Sequence, residues 1–160
     1  MDYANPTPQS IIKRMSLIYW ALFLSLIAMI GLSAFFASNV GPFIEDSKQS
    51  SYIVSIVMIF LLIILAPMSF IFPQRMIAAI DPSLPLVKKL GIYQSAMLIR
   101  FVLMDFAGIL IAVGFMATGE MHMIYMQLIV LLFFLIFKPS PFKIASDLSL
   151  DENEKDQLYN

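Results

Sequence analysis

Four segments of this chain, residues 15–37, 52–72, 93–118 and 121–137, are apolar over lengths comparable to the hydrocarbon core of a bilayer. A helix rises 1.5 Å per residue, so about 20 such residues cross roughly 30 Å of lipid. Charged residues make up only 13% of the 160 positions, hydrophobic ones 60%, and the mean hydropathy is +0.86. A globular interior of this size could not bury that much apolar surface, so lipid has to cover much of it. The fold class this predicts is all-α: an integral membrane four-helix bundle over residues 1–138. A short cytoplasmic C-terminal helix is expected within an acidic tail at 139–160.

Local signals set the element borders. The first run opens after Lys13 and Arg14 and is too long for a signal-peptide core. The Ala34-Phe35-Phe36-Ala37 stretch puts Phe35 where a cleavage site needs a small residue, so an uncleaved helix is expected. Pro67 predicts a kink over residues 63–67, because proline removes a backbone donor and clashes with the preceding turn. Pro73, Gln74 and Arg75 close that span, and Asp81-Pro82-Ser83-Leu84-Pro85 makes a turn. The third helix is expected to start near Leu86, with Lys88 and Lys89 projecting into water and Tyr93 at the interface. Gly119-Glu120 forms the tight link to the fourth span.

The distribution of Lys and Arg predicts the orientation. Lys13 and Arg14 flank the first span, Arg75, Lys88 and Lys89 sit between the second and third, and Lys138, Lys143 and Lys155 follow the fourth. The other two connections carry only Lys48, beside Glu45 and Asp46. A multi-pass protein of the bacterial inner membrane with both termini cytoplasmic is therefore expected. Tyr19, Trp20, Tyr52, Tyr93 and Tyr125 fall where an aromatic belt would lie. In the tail, Ser149 and Glu152 have the spacing of a capping box, which predicts a short solvated helix. Ile144, Leu148, Leu150 and Leu158 would instead suit a docking motif for a partner.

Several chemistries are excluded. The net charge of −1 offers no field for nucleic acid. The absence of cysteine removes disulfides, thiolate metal sites and thiol nucleophiles, and one histidine, His122, cannot build a multi-histidine cage. No phosphate-binding glycine loop, dinucleotide turn, zinc-protease helix or serine elbow is present, so neither an enzyme nor a cofactor is expected. Met121, Met123 and Met126 around His122 are the one soft-metal candidate. They equally describe the start of an interfacial helix.

Asp105 is the residue that asks for a reason. A carboxylate deep in the bilayer is costly, and such residues are protonated, paired or hydrated. It lies about 7.5 Å of rise beyond Arg100 and about 140° around the helix, so the two share no face. Arg100 can snorkel to the border, whereas Asp105 is too short to do so. Asp105 and Arg100 are thus the candidate intramembrane site. Asp105 serves either as an ion or proton site, or as a structural group bonded to Ser25, Ser55, Ser69, Gln127 or a second copy's Arg100. Gly108 and Ala112, one turn apart, form a helix-packing surface.

The segment from Leu98 to Leu110, with Asp105 among Ala, Ile, Leu and Gly, resembles the ion-carrying helix of ATP synthase proteolipid subunits. That resemblance implies an ion-binding role for Asp105 alone, since the first and second spans lack the Gly-x-Gly-x-Gly run of that family. Lys89-Leu90-Gly91-Ile92-Tyr93, the Ile99-Arg100…Asp105 segment and Lys138-Pro139-Ser140 are similar to small four-helix bacterial inner-membrane proteins. That resemblance carries no assigned activity. Two functions follow as expectations: an accessory or assembly subunit acting through lipid-embedded helix packing, as a homo-oligomer or in a larger membrane complex, or a proton- or cation-translocating subunit using Asp105.

Overall fold

A computed structural model describes residues 7–44 and 48–159. Four helices dominate: α1 Pro8–Asn39, α2 Lys48–Ala78, α3 Leu86–Thr118 and α4 His122–Ile136. Two short ones follow, α5 Pro141–Asp147 and α6 Glu152–Tyr159. No strand occurs among the described residues. Thr7 and Ser140 cap α1 and α5 with their side chains, each followed by a proline in the first turn where its missing N–H is harmless. Gly119 ends α3 in the left-handed region at φ 68°, donating its N–H to the Phe115 carbonyl. The expected start at Leu86 and turn at Gly119-Glu120 match these borders. The loop charges Glu45 and Asp46 lie outside the described residues.

The helices α1, α2 and α3 are each long and apolar enough to cross a membrane. A fourth candidate is α4 taken with α5, which together bend by 80°. By itself α4 is 15 residues, only about 22 Å long. The molecule is therefore all-helical with three or up to four candidate spans.

The helices are arranged around α3, which packs on α1, α2 and α4. In its most apolar stretch 56% of residues are buried, against 17% in α1 and in α2. Tyr19 meets Phe101 and Leu26 lies against Gly108, so α1 runs parallel to α3. Arg100 meets Ser69 and Met58 lies against Gly114, so α2 runs antiparallel. Large apolar side chains such as Leu24, Phe60, Ile63, Phe106 and Leu132 point outward, while Ser33, Ser55, Ser69, Arg100, Asp105 and Gln127 are buried. Water as solvent would select the reverse pattern; hydrocarbon accepts the greasy exterior and drives polar groups inward.

Close approach explains the small residues. A Cβ built on Gly108 would collide with Cδ1 of the fully buried Leu26, and Ala112 is fully buried beside it on α3. A Cβ on Gly91 would meet nothing within 4 Å.

The C-terminal segment departs from expectation. Instead of a solvated tail, α5 and α6 fold back onto the ends of α1 and α3, burying Ile144, Leu150 and Leu158. Those residues complete this chain's own core rather than offering a motif to a partner. The capping box is also shifted by two positions. Asp151 accepts from Glu154 N–H at 2.7 Å and Glu154 reaches back to Asp151 N–H at 3.4 Å, while Ser149 takes φ 48° before the helix. Ser149 is spent on the turn that lets Leu150 point inward.

Two substitutions at glycine separate packing from helix propensity. Gly108→Leu is expected to lower thermal stability in detergent by about 1–3 kcal/mol, the usual cost of overpacking. Gly91→Ala should be neutral or stabilising by up to about 1 kcal/mol, the propensity gain alone. Thermal melts of both purified variants check this.

Candidate functional site

The buried polar groups of α3 and their partners form the candidate site, and backbone groups freed by prolines explain much of its layout. Ser69 in α2 lacks the amide that would close its helical bond, because position 73 is proline. Nε of Arg100 donates to that freed carbonyl at 3.1 Å. Arg100 is 3% exposed, and its guanidinium lies 4.4 Å from the Phe137 ring centroid and 5.7 Å from that of Phe70. The snorkelling expected of Arg100 is thus replaced by a role inside the protein. Helix α2 continues through both Pro67 and Pro73 to Ala78.

The end of α4 follows the same logic. Pro139 interrupts the next turn, so the last carbonyls of α4 need outside donors. Tyr19 O–H donates to the Phe134 carbonyl at 3.1 Å, and Lys143 Nζ donates to that of Ile136 at 3.1 Å. Tyr19 is fully buried among Phe23, Phe101 and Phe134, so it is a core residue and not part of an interfacial belt. Trp20, Tyr52 and Tyr125 are exposed, at 42%, 68% and 63%.

At the same end, α3 is tied to the C-terminal helices by two polar contacts. Lys89 Nζ lies 2.6 Å from Glu154 Oε1, with both side chains largely buried. Tyr93 O–H donates to Asp147 Oδ2 at 2.8 Å. Lys89 therefore does not project into water and Tyr93 does not sit at an interface; α6 and α5 cover them. In the turn before α3, Ser83 N–H donates to Asp81 Oδ1 at 2.8 Å. That bond, with the Ser83 hydroxyl, holds the Asp81 carboxyl below the usual carboxylate range.

Asp105 is buried in the middle of α3 at 9% exposure. Its Oδ1 has no hydrogen-bond partner among the described residues, and Arg100 does not reach it. The hydroxyls considered for it are used otherwise. Ser55 donates to Ser51 O and Ser69 to Ala66 O, both within α2, and Ser25 is exposed on α1. Gln127 in α4 is fully buried, and both of its amide atoms also lack partners among the described residues. The structure therefore separates the two residues grouped by sequence: Arg100 belongs to the α2–α4–α5 junction, whereas Asp105 keeps an Oδ1 with no partner among the described residues. Gln127 enters the sequence reading only as a partner for Asp105, and its own unsatisfied amide is visible only in the fold.

The soft-metal candidate does not assemble. Met121 is 63% exposed while Met123 and Met126 are in the core, so the side chains diverge around the helix. No group of three His, Asp or Glu suited to a metal occurs among the described residues. His122 Nδ1 instead lies 3.9 Å from Glu120. No family model, curated protein or solved structure matches this chain.

Substitutions at Arg100 and Pro73 test whether the missing amide creates the contact between Arg100 and the Ser69 carbonyl. Arg100→Gln should destabilise the protein by about 1–3 kcal/mol by leaving the Ser69 carbonyl unsatisfied. Adding Pro73→Ala should recover part of that loss, because an alanine there restores the missing amide. Additive losses in the double variant would contradict the assignment. Tyr93→Phe should cost about 1 kcal/mol and speed amide exchange selectively in α5 and α6.

Proposed function

We propose that this chain is a non-enzymatic, four-span protein of a bacterial inner membrane, an accessory or assembly subunit acting through helix packing with a partner. The fourth span in this reading is α4, completed at its border by Phe137 and Lys138. In this reading both termini face the cytoplasm, which the Lys and Arg distribution supports. All of Lys13, Arg14, Arg75, Lys88, Lys89, Lys138 and Lys143 then sit on one side.

The observation that carries the reading is the one-sided packing of α2. This helix of 31 residues packs substantially on α3 alone, and its few buried residues are Ser51, Ser55, Ser69 and Pro73. Its bulky side chains, among them Val57, Phe60, Ile63 and Ile64, face outward. Lipid tails solvate such a face as well as a protein does, so apolarity alone does not demand a partner. A helix held along one side by small residues nevertheless leaves its other sides free for a second subunit. The partner is either another copy of this chain or a different membrane protein.

A second reading rests on Asp105. An intramembrane carboxyl oxygen with no partner among the described residues is available to a proton or a cation, as in a translocating subunit. The two readings differ in what they require of that oxygen. Assembly needs α2 to be covered and tolerates a neutral amide at position 105, whereas translocation needs the carboxyl itself.

Photo-crosslinking residues placed at Val57 and Phe60 in native membranes are expected to capture a polypeptide, either a second copy or another protein. Recovery of the chain alone, in mild detergent and after crosslinking, would count decisively against the assembly reading. Asp105→Asn should leave any captured complex intact. If the second reading holds, the same substitution abolishes proton or cation flux in proteoliposomes; unchanged flux removes that reading.

A further inference from the structure

The end of the molecule that carries α5 contains a cavity of about 400 Å³ between α2, α3, α4 and α5, with Phe70, Gln74, Arg100, Phe137, Lys143 and Asp147 in its wall. We propose that this cavity is a binding site for a phosphate group. Two cations converge there on a single carboxylate, Asp147, and neither forms a close ion pair among the described residues. Arg100 is 97% buried by the protein, since only 3% of it is exposed, yet no carboxylate lies within ion-pair distance of it among the described residues. Lys143 is half-buried and likewise forms no ion pair there. Both sit against one ring, the guanidinium carbon 4.4 Å and Lys143 Nζ 4.7 Å from the Phe137 centroid.

Donor capacity remains on both side chains. A guanidinium has five N–H groups. In Arg100 one goes to the Ser69 carbonyl, and Nη1 has only the Met97 sulfur, a weak acceptor, at 3.6 Å. An ammonium has three, and Lys143 gives one to the Ile136 carbonyl. The acid in the wall, Asp147, is engaged by Tyr93 O–H and leaves two cations against one carboxylate. Burial is the main effect that pushes the Lys143 ammonium below its ordinary value; Asp147 opposes this and the Arg100 charge adds to it. A bound anion would relieve both the desolvation and the repulsion. A planar fork beside a flexible point charge suits the several acceptor oxygens of a phosphate.

The position favours such a ligand. The cavity lies where α2 ends at Ala78, just past Arg75, and α4 ends at Ile136, just before Lys138, the border between the apolar stretches and the charged segments. Phosphate reaches this border either as the headgroup of an acidic phospholipid, with its chains along outward-facing Phe70, or as free phosphate from the aqueous side. The site is built within one chain, so it stands whether or not α2 meets a partner.

Native mass spectrometry of the purified full-length protein tests the proposal with three probes: phosphatidylglycerol, a sulfonate-headed anionic glycolipid with matched chains, and inorganic phosphate. Retention of phosphatidylglycerol over the sulfonate lipid supports a lipid-headgroup site. Retention or stabilisation by inorganic phosphate alone assigns the soluble source. Lys143→Gln should weaken the retained species roughly ten-fold or more, whereas Lys88→Gln, at an exposed lysine outside the cavity, should leave it unchanged. Arg100→Gln, made together with Pro73→Ala to preserve the fold, should have at least the effect of Lys143→Gln. Equal retention of both lipids, equal effects of the two lysine variants, or no retention of any probe would overturn the proposal.

Discussion

Backbone carbonyls that lose their helical partners have no water to turn to in hydrocarbon, and that constraint organises this molecule. Pro73 frees the carbonyl of Ser69, and Arg100 of α3 supplies the donor. The proline-terminated end of α4 frees those of Phe134 and Ile136, and Tyr19 of α1 and Lys143 of α5 supply theirs. Each bond joins two different helices. The same three contacts therefore satisfy freed helix carbonyls and fix tertiary arrangement at once. They also account for a buried arginine with no ion pair among the described residues: its first task is to complete α2.

Around these contacts α3 acts as the axis. Its glycines and alanines admit α1 and α2 closely, with Leu26 seated over Gly108 and Met58 over Gly114. Its Lys89 and Tyr93 fasten α6 and α5. A helix given so many internal duties is more buried than its neighbours, and the neighbours in turn present their apolar sides outward. Asp105 sits on this axis with no bond at Oδ1 among the described residues, and the fully buried Gln127 amide of α4 shares that condition.

Much of the architecture is legible in the sequence, because it depends on long-range hydropathy and on proline and glycine punctuation. The start of α3 at Leu86, its end at Gly119 and the apolar helices follow from those signals. What is not legible depends on which residues meet across helices. Lys89 reads as a solvated lysine until Glu154 folds back onto it, and Tyr19 reads as a belt residue until the Phe134 carbonyl is placed beside its hydroxyl. The tail escapes sequence reasoning for the same cause: Ile144, Leu150 and Leu158 are too sparse to show periodicity, yet each finds a site in the core. At the candidate site, Asp105 and Arg100 are visible as unusual residues, but their separation into two environments requires the fold. The link from Pro73 through Ser69 to Arg100 has one readable sign, a proline four residues after a carbonyl in an apolar helix.

The central claim is that hydrocarbon, not water, surrounds the outward faces packed about α3. The chain has no cysteine, so single spin labels can be introduced without background. Labels at Phe106 on α3 and Leu132 on α4, which are 51% and 57% exposed, can be compared in proteoliposomes for collision with oxygen and with a water-soluble nickel chelate. The account predicts strong oxygen and negligible nickel access at both positions. Nickel access at either one comparable to that of a freely solvated label would contradict it.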